Sequence, residues 1–221
     1  MKLACMIDPQ QLNRYSFVRN NPLKYVDADG NDLKLAPGLK KADVETIIKH
    51  VVALYRKQSG RDGLERMERS KVTIDMGTGK LPTKIDLMAQ TVTDRFGNTA
   101  VDRTNTINTK SGQIVASQIN SVTVTFDFGK RNDAQSSAEI NKSPEPPSEQ
   151  HVVDHEFGHV DRVVGDPLGS ASDKDPEKPA EDFANRAENE KNSMSKEDAE
   201  KRVREMFGLP PKEEKKKKND D

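Results

Sequence analysis

The stretch that decides the fold reads Gln150-His151-Val152-Val153-Asp154-His155-Glu156-Phe157-Gly158-His159-Val160. It contains the pattern HExxH, with His155, Glu156 and His159 at the specified positions. On an α-helix, residues four apart lie nearly above one another, so the two histidines project from one face. Two imidazole nitrogens on one face can bind the same tetrahedral zinc ion. Glu156 is turned about 100° from His155, a direction that suits a general base for water at the zinc ion.

An apolar stripe beside these residues predicts that the helix is buried on one side. The stripe consists of Val152, Val153, Phe157, Val160, Val163 and Val164. Three of the four histidines, His151, His155 and His159, recur at every fourth position. A chance match to a short pattern, or a structural or solvated histidine cluster, is therefore the alternative interpretation. We expect a zinc site, because the spacing, the helical context and the adjacent carboxylate agree.

The composition limits which classes of protein this chain can belong to. The 221 residues suffice for one ordinary domain with appendages, and 32% hydrophobic against 33% charged residues predict a modest core. A formal net charge of −1 argues against a nucleic-acid partner. The single cysteine, Cys5, excludes an intrachain disulfide, which suits a reducing compartment. No apolar run has membrane-spanning length and residues 1–7 are too short for a signal-peptide core, so we expect no membrane partner and, as encoded, a cytoplasmic protein.

Helical periodicity, β-branched runs and turn signals alternate along the chain and predict an α+β fold. In the first half we expect a helix from residue 44 that ends near 59–60 and a short helix over 62–69. Strands are expected at 72–74, 84–93, 113–119 and 122–128, with a turn at 95–99. In the second half we expect a flexible connection over 129–149, followed by the HExxH helix, which Ser148 caps and which ends at 165–167. A loop over 169–179 should follow. The last two predicted elements are a helix that begins at Pro179 and a helix from Ser195 to Gly208.

This order of elements resembles the zincins, a class of zinc peptidases. A small mixed sheet with a preceding helix comes before an HExxH active-site helix, and a ligand-bearing helix follows. The resemblance implies that an edge strand of the sheet binds the substrate backbone by β-augmentation.

A catalytic zinc site needs a third protein ligand. The longer pattern HExxHxxGxxH/D is not met, since Arg162 occupies the glycine position and Gly165 the ligand position. Asp161 and Asp166 lie near that position but not at it. Glu181 on the next helix is the better candidate, with Asp182 as its nearest competitor. The alternative interpretation of Glu181 is an acidic first-turn residue favoured by the helix dipole.

The segment Glu181-x-x-Ala184-Asn185 resembles the ExxAN segment of small zinc peptidases that cut bacterial regulator proteins. The resemblance implies a gluzincin-like His2Glu site formed by His155, His159 and Glu181. Asn185, one turn beyond Glu181, could then orient a ligand histidine through a hydrogen bond.

Several other polar residues have open roles. His151 could be a fourth metal contact, which would make the site structural and closed. The chemistry also needs a donor for the developing oxyanion, and His151, Arg162 and Tyr55 are all eligible. His50 lies beside the apolar stripe of the first helix, where we expect a packed or solvent-facing histidine and not a ligand.

The N-terminal segment carries a second resemblance. Residues 8–31 include Leu12-Asn13-Arg14-Tyr15-Ser16-Phe17-Val18 and Asn20-Asn21-Pro22-Leu23-Lys24-Tyr25-Val26-Asp27. They resemble the C-terminal end of the RHS repeat-associated core, with Ala28 where that family usually has proline. In that family a variable toxin domain follows. The resemblance implies three regions: an RHS remnant over 1–31, a zincin-like domain over 32–208, and a charged disordered tail over 209–221.

Together these patterns predict a zinc-dependent metallopeptidase that is the toxin domain of an RHS-type polymorphic toxin. Its partners would be a protein or peptide substrate and a cognate immunity protein. It would reach a target cell by delivery or secretion as part of the larger toxin. The alternatives are a non-catalytic zincin-fold module for binding or structure, and a displaced toxin cassette.

Overall fold

The computed structural model describes residues 33–82, 84–86, 91–93 and 96–212. The chain divides into two compact units, Met1–Gly30 and Asn31–Asp221, and all described residues belong to the second unit. The segment that resembles an RHS core therefore lies outside the described residues, as does the charged tail from residue 213 onward.

The described part contains six strands and seven helices. The strands are β1 Leu33–Leu35, β2 Thr73–Thr78, β3 Lys84–Asp86, β4 Thr91–Thr93, β5 Gly97–Ile107 and β6 Ile114–Phe126. The helices are α1 Lys41–Tyr55, α2 Gln58–Arg69, α3 Phe128–Asn141, α4 Glu149–Gly165, α5 Pro167–Ala171, α6 Glu177–Asn189 and α7 Lys196–Met206. None of these helices is both long enough and apolar enough to span a membrane.

Four strands form a mixed sheet in the order β1-β2-β6-β5. β1, β2 and β6 are parallel, and β5 runs antiparallel to β6 at one edge. The register aligns Leu33, Ile74, Val122 and Val101 in one row across the sheet. β3 and β4 form a separate antiparallel pair. The chain is thus an α+β protein with a small mixed sheet, which confirms the predicted fold class at that level.

The core lies where α1 and α4 meet the sheet, with α2 and α7 packed against these helices. Ile47 and Val51 of α1 and Val124 and Phe126 of β6 are fully buried. Phe157 of α4 is also fully buried. Truncating a buried phenylalanine to alanine typically costs about 3–5 kcal/mol of folding free energy, so this packing holds the HExxH helix firmly in place.

Two predictions of loop structure were wrong. Residues 129–149 were expected to form a flexible connection, but α3 occupies most of that range. Asp127 caps α3 by accepting a hydrogen bond from the Lys130 backbone N–H, and Lys142 ends it in the left-handed conformation, with φ of 53°. The helix buries only Ala138, so its sequence has no apolar stripe to reveal it. α5 and the start of α6 likewise fall within the range predicted as a loop over 169–179.

The β region also differs from expectation. The two runs expected as separate strands, 113–119 and 122–128, form the single long strand β6. Residues expected as a turn near 97–99 begin β5, an eleven-residue strand. β5 is polar and largely exposed, and edge strands of this kind carry little hydrophobic alternation. At the C-terminus, Leu209 packs against the core and Lys212 pairs with Glu200, so this first part of the predicted tail contacts the domain.

Candidate metal centre and cleft

The HExxH helix begins and ends where the sequence predicts. Ser148 caps α4 by accepting a hydrogen bond from the His151 backbone N–H at 2.9 Å, and the helix runs to Gly165. One side, with Val153, Phe157 and Val160, is fully buried. The histidines of the pattern therefore project from the other side, where each keeps close to a fifth of its side chain exposed.

α6 packs closely against α4 at Gly158. A Cβ atom at Gly158 would lie 2.8 Å from the Ala180 Cα atom and 3.0 Å from the Phe183 Cβ atom. Only glycine permits this approach without displacement of the helix backbone. As a result, the acidic first turns of α6 lie beside the exposed histidines of α4.

Three ligand-type atoms converge at this contact. His159 Nε2 lies 3.1 Å from His155 Nε2. Glu177 Oε2 lies 3.2 Å from His155 Nε2 and 3.4 Å from His159 Nε2. A tetrahedral zinc ion bound at about 2.0–2.1 Å requires ligand atoms roughly 3.3 Å apart. The spacing of these three atoms therefore fits zinc, and two imidazoles with one carboxylate are a donor set that zinc accepts.

Glu181, the predicted third ligand, lies one turn further along α6. Its Oε2 atom is 3.3 Å from His155 Nδ1 and 3.3 Å from His151 Nε2, and so contacts the opposite edge of the His155 ring. Asn185 donates a hydrogen bond to Glu181 Oε1 at 3.1 Å. Asn185 therefore orients the carboxylate and not a histidine. Burial raises the pKa of Glu181, but the His151 charge and the hydrogen bonds outweigh this effect, so the pKa lies below its usual range.

His151 is held between two carboxylates of α6. Its Nδ1 atom lies 3.0 Å from Glu188 Oε1, and its Nε2 atom faces Glu181. The three histidines that recur along α4 thus all face α6, as their spacing predicts.

Glu156 lies under the adjacent edge strand. It is only 6% exposed, and Thr99 of β5 donates a hydrogen bond to its Oε2 atom at 2.6 Å. A Cβ atom at Gly97 would lie 2.4 Å from Glu156 Oε1, so only glycine leaves room for the carboxylate there. The two β5 residues together form a close-fitting cradle for the predicted base.

A cleft of about 590 Å³ connects these groups. His155, Glu156, His159 and Glu177 line one part of it, and β5 lines another part. β5 is the terminal strand of the described sheet, and no described strand pairs with its outer edge. The cleft therefore combines a candidate metal centre with backbone groups that are open to a further strand.

Two arginines line the cleft, and they differ in whether a carboxylate pairs with them. Arg162 donates to both carboxylate oxygens of Asp173, each at 3.0 Å, and also pairs with Asp166. These hydrogen bonds raise the pKa of Arg162 above its usual value. Arg103 of β5 donates to the Ser170 hydroxyl at 3.3 Å and, within the described part of the chain, pairs with no carboxylate.

The other predicted candidates lie elsewhere or are engaged. Of the three eligible oxyanion donors, His151 and Arg162 line the cleft. Tyr55 does not, because it is buried and donates to Glu65. The alternative aspartate ligands are paired with cations: Asp161 with Arg66, Asp166 with Arg162, and Asp182 with Lys178.

Of the two expectations for His50, packed or solvent-facing, the structure shows the first, since His50 is 5% exposed. Its ring contacts Gln150 at Nδ1 and Glu149 at Nε2. Gln150 also donates to Asp154, which is 1% exposed. Burial raises the pKa of Asp154 to about 7, against the lowering effects of the Gln150 hydrogen bond and the Lys57 charge.

Glu177 and the strand β5 are the parts of the site that sequence reasoning missed. The helix was expected to open at Pro179, as if proline were its first residue. Pro179 is instead the third residue of α6, which proline tolerates because first-turn N–H groups lack intrahelical partners. With the helix start placed at Glu177, the i, i+4 pair Glu177 and Glu181 would have been visible in the sequence.

Comparisons with protein-family models, with curated protein sequences and with solved structures found no match to this chain.

Proposed function

We propose that the chain is a zincin-like, zinc-dependent metallopeptidase. The observation that carries the proposal is the convergence of His155 Nε2, His159 Nε2 and Glu177 Oε2 within 3.4 Å of one another, in a cleft that Glu156 also lines. A bound zinc ion would supply Lewis acidity toward a peptide carbonyl and toward water. Glu181 remains the alternative third ligand, through rotation of its side chain toward the Nε2 pair.

Glu156 is the proposed general base and later the general acid. Its carboxylate accepts a proton from the attacking water and afterwards donates it to the leaving amine. The Thr99 hydroxyl and the space above Gly97 hold this carboxylate in one position. Of the oxyanion donors predicted from the sequence, His151 and Arg162 line the cleft and could supply this hydrogen bond.

The open edge of β5 is the proposed site for the substrate backbone. An extended peptide could pair with the outer N–H and C=O groups of β5 and pass along the cleft beside Glu156. In the described structure Arg103 has only a hydroxyl partner. It therefore favours peptides whose acidic side chain, once the peptide is paired with β5, lies next to Arg103.

The segment over 8–31 suggests the biological context. We propose that the domain acts as the toxin part of an RHS-type polymorphic toxin, against a protein of a target cell and with a cognate immunity protein. The support for this proposal is the sequence resemblance of residues 8–31.

The decisive experiment compares the wild type with Glu156→Gln on peptides derived from a bacterial proteome, with new termini identified by mass spectrometry. Gln keeps the shape of Glu156 but removes the base, so turnover should fall by about 10²–10⁴-fold while zinc content stays unchanged. Glu205→Gln on the exposed part of α7 is the matched control and should behave as the wild type. Zinc binding without any new termini in the wild type would instead assign a non-catalytic zincin-fold module.

A further inference from the structure

The His155 ring is shared by two sets of ligand-type atoms. Its Nε2 atom belongs to the set with His159 and Glu177. Its Nδ1 atom belongs to a second set with His151 Nε2 and Glu181 Oε2, in which the carboxylate oxygen is 3.3 Å from each nitrogen. All atoms of each set lie within 4.8 Å of one another. The second set therefore offers the same donor types as the first, with its carboxylate oxygen at a similar distance from both nitrogens.

Two members of the second set are oriented by further side chains. Glu188 Oε1 contacts His151 Nδ1 at 3.0 Å and directs the other ring nitrogen toward Glu181. Asn185 holds Glu181 Oε1 at 3.1 Å and leaves Oε2 facing the two histidines. Such carboxylate–histidine and amide–carboxylate contacts orient metal ligands in proteins and raise their affinity.

We propose that His151, His155 and Glu181 form a second site for a divalent metal ion of the zinc type, with the His155 ring bridging the two ions. The ion at Nδ1 replaces the remaining ring N–H proton, which leaves to the solvent, and no other bond changes. Two imidazoles and one carboxylate select zinc or cobalt over magnesium or calcium, which prefer oxygen ligands.

The second site regulates the proposed peptidase, and this part of the inference rests on the proposed function. His151 and Glu181 line the same cleft as Glu156. An ion held between them occupies substrate space and withdraws His151 from any role as an oxyanion donor. Excess zinc is therefore inhibitory, whereas limiting zinc, bound at the first site, supports turnover.

Metal counting on the full chain tests the inference without any substrate. In excess zinc, elemental analysis after gel filtration should give two ions for the wild type, one for His151→Ala and one for His159→Ala. His155→Ala, which removes a ligand from both sets, should retain none. Asp182→Asn is the matched control, because Asp182 lies on α6 but pairs with Lys178, and it should retain two. One ion in the wild type, or none in a folded His159→Ala, would overturn the second site.

A cobalt titration of the wild type gives a second readout that does not depend on how the variants fold. The absorption bands of bound cobalt should develop in two steps, the first complete at one equivalent, and a single step would reject the proposal. Metal counting also distinguishes failure of the second site from failure of the proposed function. If His151→Ala loses all metal, the first site does not bind zinc independently and the proposed function is refuted. If only His159→Ala loses all metal, the second site is refuted and the first site stands.

Discussion

At the scale of single residues, the placement of Glu156 depends on two neighbours in β5. Thr99 donates a 2.6 Å hydrogen bond to the carboxylate, and Gly97 leaves the space that the carboxylate occupies. Since Glu156 is buried, few water molecules can replace the Thr99 hydroxyl. Thr99 is therefore a positioning residue for the proposed base, although the sequence alone predicts a turn at this point.

Thr99→Val should lower kcat/KM by roughly tenfold while zinc content stays unchanged. A hydrogen bond to a charged group contributes roughly 1.5 kcal/mol, and its loss lets the carboxylate leave the position from which it reaches the attacking water. Thr99→Ser keeps the hydroxyl and should restore the wild-type rate. Thr104→Val, further along β5, is the control. An unchanged kcat/KM in Thr99→Val would show that the hydroxyl does not position the base.

Asp154 should make the apo protein less stable as pH rises. Its folded pKa of about 7 lies above the unfolded value of roughly 3.9, so the folded state binds the proton more tightly. The resulting stability is fully present below about pH 4, is lost between about pH 4 and 7, and amounts to about 4 kcal/mol.

Asp154→Asn removes this titrating group. The melting temperature of the variant minus that of the wild type should therefore be larger at pH 8 than at pH 5. Calorimetry with a chelator present measures the difference, and Asp182→Asn on the exposed surface is the control. A difference that shrinks as pH rises would contradict the assignment.

At the scale of elements, the contact between α4 and α6 determines which carboxylate reaches which nitrogen. The geometry places Glu177 at the Nε2 pair and Glu181 at Nδ1 of His155. Glu177→Gln should therefore weaken binding of the first zinc equivalent by more than the roughly 10–100-fold expected for loss of an orienting contact. Glu181→Gln should stay within that range.

Competition with a fluorescent chelator at limiting zinc would measure both affinities. Asp182→Asn again controls for the loss of one negative charge on α6. The reverse order, with Glu181→Gln the more damaging change, would assign Glu181 as the third ligand, as the resemblance to the ExxAN segment implies.

At the scale of the whole molecule, the second compact unit contains a complete core. β1 begins at Leu33, which is 2% exposed and pairs with β2. A chain that begins at Asn31 should therefore unfold cooperatively within about 2 °C of the full chain, which corresponds to a free-energy change of under 1 kcal/mol. A chain that begins at Lys41 lacks β1 and should melt well below both. A loss of many degrees on removal of residues 1–30 would show that they stabilise the domain.

Features set by local interactions were accessible from the sequence. The HExxH helix, its Ser148 cap, the last helix and the α+β class follow from spacing, capping and periodicity within about fifteen residues. The same local signals were enough to place His155, Glu156 and His159 on one helix whose opposite side is buried. In contrast, α3 and β5 bury few side chains, so neither has the hydrophobic pattern that makes an element visible.

The sequence by itself thus determined which residue types stand on the HExxH helix and that its histidines share one face. Only the tertiary structure decided which partners those residues meet. Gly158 allows α6 to approach α4 so closely that Glu177 faces the Nε2 atoms of His155 and His159. The antiparallel pairing of β5 with β6 places Thr99 beside Glu156, although the two residues are 57 positions apart in the sequence. The physical reason is that spacing along the chain reports contacts within one turn or strand, whereas contacts between elements depend on how whole surfaces pack.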